Sequence, residues 1–168
     1  MYKNVKNAAS IYLAVFGFVL FLFPAIVMAQ DPEFVFSDLT VKDKKAGLMW
    51  TKKANLSGNG MSWNEANDYI KQLNKDKYAG FSDWRLPTKE ELVALANYGK
   101  GLGKGSDAII AVELNRIGFV DVKAKYYWTS TTDAKEPDGA WNVSMLNGHA
   151  DIDPKKTNNF VWPVRADK

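Results

Sequence analysis

A proline followed by a helix-capping signature fixes one point of this chain before anything else: Trp84-Arg85-Leu86-Pro87-Thr88-Lys89-Glu90-Glu91-Leu92. Pro87 biases Leu86 toward extended backbone. Thr88 with Glu91 reads as a capping box, in which the hydroxyl accepts from the N3 amide and the carboxylate accepts from the Thr amide. A second box, Ser62-Trp63-Asn64-Glu65, opens another helix upstream. Two boxed helices, the second reached through Arg-Leu-Pro-Thr, are a plan for a fold before they are a plan for an activity.

The rest of the chain arranges itself around those helices. Leu39-Thr40-Val41 and Leu48-Met49-Trp50 read as arms of a β-hairpin, with Gly47 free to take positive φ in the turn. The first helix is expected from about Trp63 to Asn74, burying Trp63, Ala66, Tyr69, Ile70 and Leu73. The second is expected from Lys89 to Tyr98, with Gly99 as its C′ residue. Lys100 to Ser106 reads as a loop, and Asp107 to Ile117 as a third helix capped by Ser106. Tyr126 to Thr131 reads as a strand. Trp141, Val143 and Met145 alternate with Asn142 and Ser144 as a half-buried strand does. Asn147-Gly148 signals a type I′ hairpin into Ala150 to Asp153. Phe160, Trp162 and Val164 alternate again, and Pro163 marks an edge or a bulge there. The class is α+β: two or three helices on a twisted, mostly antiparallel sheet.

The first thirty residues stand apart. Lys3 and Lys6 precede an uncharged, apolar run from Ile11 to Met28, and Val27-Met28-Ala29 ends it with tolerated cleavage residues. Residues 1–29 read as a secretory signal peptide and residues 30–168 as one domain, periplasmic or extracellular. An uncleaved anchor is the alternative, and the only expected membrane contact. Lys3 and Lys6 leave with the leader and no acid does, so the formal charge falls from +3 to +1. That balance gives no reason to expect nucleic acid. The chain has no Cys and one His, His149. Disulfides, thiolate metal sites and cysteine nucleophiles are therefore excluded, and a His-based metal or general-base site is not expected.

Five landmarks then fall in a recognisable order. They are Val41-x-Asp43 with Gly47-Leu48-Met49-Trp50; Ser62-Trp63-x-x-Ala66; Asp83-Trp84-Arg85-Leu86-Pro87-Thr88 with Glu91-Leu92; Tyr127-Trp128-Thr129-Ser130-Thr131; and Val161-x-Pro163-Val164-Arg165. In these the chain resembles the Lcl C-terminal domain family, a bacterial family named after a collagen-like adhesin. The resemblance implies a C-type-lectin-like fold, related to the formylglycine-generating enzymes, with N- and C-terminal strands close together. Many members carry a Cys where this chain has Ile70 and another where it has Pro163. The resemblance thus implies a disulfide replaced here by packing.

Arg85 and Glu91 read as structural, tying the approach of the second helix to the sheet. Trp50, Ser62, Trp63, Trp84, Pro87, Thr88, Trp128 and Arg165 are read with them as framework. Trp141 follows a turn and is the Trp most expected at the surface. Lys100, Lys104, Lys155 and Lys156 fall in expected loops; gathered on one face they would attract an acidic polymer. The adhesin that names the family binds sulfated polysaccharides, so the resemblance implies such a ligand. Glu136, Asp138, Asn142, Asp133, Asp151 and Asp153 offer the oxygens calcium takes, but the spacing departs from that of calcium-dependent lectins, and a polar turn is the expected reading. No cofactor, resident metal or catalytic residue is expected. Three functions follow: an exported, non-catalytic module binding a glycan or other surface polymer; an assembly subunit of a pilus, filament or envelope complex with a protein partner; and an oxidase-type enzyme, which lacks the Cys or His set it would need.

Overall fold

The computed structural model describes residues 33–105 and 107–168. The expected leader and the expected Ser106 cap lie outside these residues. Among the described residues, no helix is long and apolar enough to cross a membrane.

Strands β1 (Phe34–Phe36), β2 (Thr40–Asp43), β3 (Leu48–Thr51) and β7 (Val164–Ala166) form one antiparallel sheet in the order β1-β2-β3-β7. The first hairpin closes as its residues dictate: Asp43 Oδ1 accepts from the Ala46 amide at 2.8 Å, and Gly47 sits at φ 65°. Strands β4 (Tyr126–Thr132), β5 (Gly139–Ser144) and β6 (Ala150–Pro154) form a second antiparallel sheet, in the order β4-β5-β6. The class is the α+β expected, but the sheet is divided in two. The segment from Phe160 to Arg165 joins the halves. Phe160 bonds β4 through Tyr126 and Trp128 (both 2.9 Å), while β7 pairs with β3. The N-terminal strands and the last strand thus share a sheet, as the resemblance implied.

Three helices, α1 (Trp63–Lys75), α2 (Lys89–Leu102) and α3 (Ile110–Ile117), complete the fold. Both capping boxes are formed, on Ser62 with Glu65 and on Thr88 with Glu91. Helix α1 buries Ala66, Ile70 and Leu73 in a cluster with Met49, Trp84, Leu86, Trp128 and Val161. The Asn74 amide clamps the Trp84 backbone from the end of α1, at 2.7 and 2.8 Å. Helix α2 buries Leu92, Leu95 and Ala96 in the larger cluster around Trp50, Tyr127 and Trp162.

Several local expectations are corrected. Gly99 is not a C′ residue: α2 runs on to Leu102, and Gly99 is buried inside it. A Cβ there would lie 2.9 Å from Ile110 Cγ2 and 3.0 Å from Leu114 Cγ, so the glycine is where α3 crosses α2. Lys100 is consequently helical rather than in a loop. Helix α3 starts at Ile110, not Asp107, and no side chain caps it. Its amides are satisfied instead by the Leu146 and Met145 carbonyls, at 3.4 and 2.8 Å. That contact explains the Asn147-Gly148 turn. Only Gly148 of the two has positive φ, and the loop spans Met145 to His149 to meet α3 rather than closing as a type I′ pair. Pro163 is buried, and β7, which begins just after it, is the terminal strand of its sheet, as the edge reading expected. On the outer side of β7 the Val164 backbone bonds that of Arg85 at 2.8 and 3.0 Å.

Strand β5 is not half-buried. It lies between β4 and β6 and is covered on both faces, so Asn142 is fully enclosed. Neither Asn142 Oδ1 nor Nδ2 has a hydrogen-bond partner. An unsatisfied buried amide costs about 1–3 kcal/mol. Asn142→Leu, which keeps the branched shape without the polar atoms, is expected to raise the urea unfolding free energy by about 1 kcal/mol. A clear loss would mean the amide is satisfied in solution.

Three carboxylates tie the helix starts and the C-terminal strand together. Burial pushes the Glu91 carboxyl up, but hydrogen bonds from Arg85 and the Thr88 amide outweigh it and leave it below the ordinary 4.5. The Ser62 hydroxyl and amide hold Glu65 down, and the Arg165 guanidinium holds Asp83 below 3.8. Depressed folded values stabilise above the unfolded pKa and stop doing so as pH falls through the folded one. Thermal stability is therefore expected to be flat above about pH 5 and to decline progressively below about pH 4.5. A Tm unchanged down to pH 2.5 would refute this.

Candidate functional site

The start of α1 opens onto a cleft of about 720 Å³, lined by Ser62, Asn64, Glu65, Asp138, Pro154, Lys155, Lys156 and Asn158. Its floor is fixed by the backbone of Lys155, which bonds Asp138 O at 2.8 Å and accepts from the Trp63 amide at 2.9 Å. The Lys155 ammonium donates to Pro137 O at 2.6 Å and stands 4.8 Å from the Trp63 ring. Lys156 is exposed beside it.

The Trp63 indole leads to a second aromatic. Its Nε1 donates to Thr129 O at 2.9 Å, and the Thr129 hydroxyl donates to Trp141 O at 2.8 Å. Thr129 sits where β4 loses register with β5, between Trp128 and Thr132. There the outer edge of β4 passes from Phe160 to Pro87, whose carbonyl accepts from the Ser130 amide at 2.8 Å. The irregularity lets one strand residue hold both tryptophans. Lys89, the first residue of α2, places its ammonium 3.5 Å from the Trp141 ring. Two half-buried tryptophans, each under a lysine, thus flank one strand residue beside an open polar cleft.

The five candidate ligand residues divide into two groups. Lys155, Lys156 and Trp141 belong to this region. Lys100 lies in the last turn of α2, about 16 Å along the helix axis from Lys89, and Lys104 follows the helix. Lys89 was missed, because as the residue after an N-cap it looks like any solvated helix position; only the distant pairing of Trp141 reveals it. The remaining tryptophans, Trp50, Trp84, Trp128 and Trp162, are buried. Arg85 makes a bidentate pair with Glu91, both bonds 2.7 Å. Among the described residues, no three Asp, Glu, His or Cys side chains converge on a point that could hold a metal ion. Asp151 and Asp153 are engaged locally, by the Ile152 amide and by Asn159, both at 2.8 Å.

The landmarks that carry this arrangement run from the first hairpin to Arg165, and a model of the Lcl C-terminal domain matches residues 39–165. The chain belongs to the Lcl C-terminal domain family. None of the curated proteins compared with it matches. In this member of the family, the Thr88, Arg85 and Glu91 landmark is a helix cap locked by an ion pair. The Trp128 landmark is a core anchor whose Nε1 donates to Met61 O at 2.8 Å. Ile70 and Pro163 are both buried.

Proposed function

We propose that this Lcl C-terminal domain is an exported, non-catalytic binding module that takes an acidic glycan or similar surface polymer across the Trp63–Thr129–Trp141 region. The observation that carries the reading is the pair of Trp–Lys stacks joined through Thr129, next to the Lys155–Lys156 cleft. Aromatic faces suit sugar rings, and lysines suit carboxylate or sulfate groups. The apolar leader-like segment supports export. The order of landmarks supports a C-type-lectin-like fold, in the branch of the formylglycine-generating enzymes, as the scaffold. The sequence has no Cys and a single His, which favours binding over catalysis.

The test is binding of residues 30–168 to neutral and sulfated polysaccharides at low and physiological salt. Salt-sensitive binding to the acidic polymers is expected. Lys155→Gln with Lys156→Gln should weaken it about tenfold at low salt. Lys100→Gln with Lys104→Gln should leave it unchanged. A blank panel at low salt, or equal losses in both double variants, would refute the reading.

A further inference from the structure

Lys100 and Lys104 stand on a different face, and its other occupants are apolar. Ile109, Val112 and Leu146 are exposed at 38, 56 and 45%. They come from separate stretches but share one place. Leu146 O accepts from the Ile110 amide, and Val112 lies one turn of α3 beyond Ile109. A Cβ on Gly148 would lie 3.3 Å from Ile110 Cδ1 and 3.9 Å from Ala96 Cβ, so the 145–149 loop rests on α2 and α3 together.

The lysines surround that tip. Lys100 follows Ala96 by one turn of α2. The Gly103 backbone packs directly on Ala108, so the residue before Lys104 meets the residue before Ile109. The Lys125 carbonyl accepts from the Met145 amide at 2.9 Å, which brings Lys125 to the loop from the opposite side. All three lysines are exposed. The acids of this face, Asp107 and Glu113, have partners within the protein, Glu113 in Arg116 at 2.6 Å. The face is therefore apolar at its centre and cationic at its rim.

Its charge selects the partner. The clefts at Ser62, at Tyr98 and at Leu39 include none of Ile109, Val112 or Leu146. Exposed aliphatic side chains among exposed lysines match an anionic bilayer surface, where apolar side chains enter the acyl boundary and lysines meet anionic headgroups. We propose that the face formed by Ile109, Val112, Leu146, Lys100, Lys104 and Lys125 docks the domain on an anionic phospholipid surface. This goes beyond the polymer-binding reading and uses none of its residues.

The test is co-sedimentation of the full chain with vesicles of phosphatidylethanolamine containing phosphatidylglycerol, against vesicles of phosphatidylcholine. Amide hydrogen exchange is followed on both. Vesicles containing phosphatidylglycerol are expected to slow exchange at residues 109–113 and 145–149. Val112→Ser with Leu146→Ser, and separately Lys100→Gln with Lys104→Gln and Lys125→Gln, should each weaken binding by about tenfold or more. All five substituted positions are exposed, so both variants are expected to keep the parent Tm. Residues 1–32 are common to all three proteins, and attachment through them alone would leave exchange at this face unchanged. That result overturns the proposal, as does equal binding to phosphatidylcholine. Protection of the same residues on self-association without lipid would also overturn it, assigning the face to a second copy of the chain.

Discussion

Trp162→Ala is expected to cost about 4 kcal/mol of unfolding free energy and to leave a chain that is largely unfolded at 37 °C. Trp162 is fully buried where the two sheets are joined. Its ring meets Trp50 at 5.6 Å, Phe119 at 5.2 Å and Tyr127 at 5.7 Å between centroids, all in edge-on or tilted geometry. These neighbours come from β3, the stretch after α3, and β4. Truncation therefore opens a cavity that no single element can close by shifting, and edge-to-face pairs lose attraction beyond their buried area. The indole Nε1 also donates to Thr51 O at 2.9 Å inside the core, and Ala would leave that carbonyl unsatisfied. Trp162→Phe separates the two losses: it keeps most of the volume and removes the donor, and about half the cost of Ala is expected. Urea unfolding followed by far-ultraviolet circular dichroism measures both. A loss below about 1 kcal/mol for Ala would mean that the core collapses around the gap and that the two sheets are not joined through this residue.

The parts of this fold that were legible from sequence are those written in local chemistry. Both capping boxes, the Ala66, Ile70 and Leu73 part of the α1 stripe and the Asp43–Gly47 turn depend on residues a few positions apart and formed as their residues specify, whereas Trp63 and Tyr69, expected in the same stripe, are only half-buried. The misreadings share one cause: a distant segment satisfied what local pattern left open. Gly99 resembles a helix terminator until α3 is seen lying against it. Ile109 is a poor cap, yet α3 begins after it because the carbonyls of Met145 and Leu146 reach its amides. Asn142 falls at the polar phase of an alternating strand, but β5 is covered on its second face as well, and periodicity cannot report that. The candidate site divides in the same way. The adjacent pair Lys155–Lys156 stayed together. Lys89 with Trp141 is a contact across half the domain that spacing does not encode, and Lys100 with Lys104 went to another face. Lysine-rich loops say that a surface is basic but not which loops share it.

Arg165→Ala is expected to cost about 3 kcal/mol, although Asp83, the partner of Arg165, is half exposed. Arg165 is only 6% accessible, and most of its contacts are not ionic. The guanidinium lies 3.9 Å from the Phe81 ring and 3.7 Å from Met49 Sδ, and its two bonds to Asp83 measure 2.6 and 3.2 Å. A carboxylate half in water keeps its hydration when the partner leaves, so Asp83→Ala should cost only about 1 kcal/mol. The asymmetry is the test. If charge pairing dominated, the two single variants would lose equal amounts, and a double-mutant cycle would return nearly all of either loss. If packing dominates, as the burial argues, Arg165→Met should recover about half of what Ala loses, because an unbranched side chain refills the space between Met49 and Phe81. Arg85 gives the internal control. Its side chain is 41% exposed and its bidentate bond to Glu91 is the shorter pair, so Arg85→Met should cost as much as Arg85→Ala. One arginine is then held by its charge at a helix start, and the other by its bulk at the seam where the last strand closes the sheet.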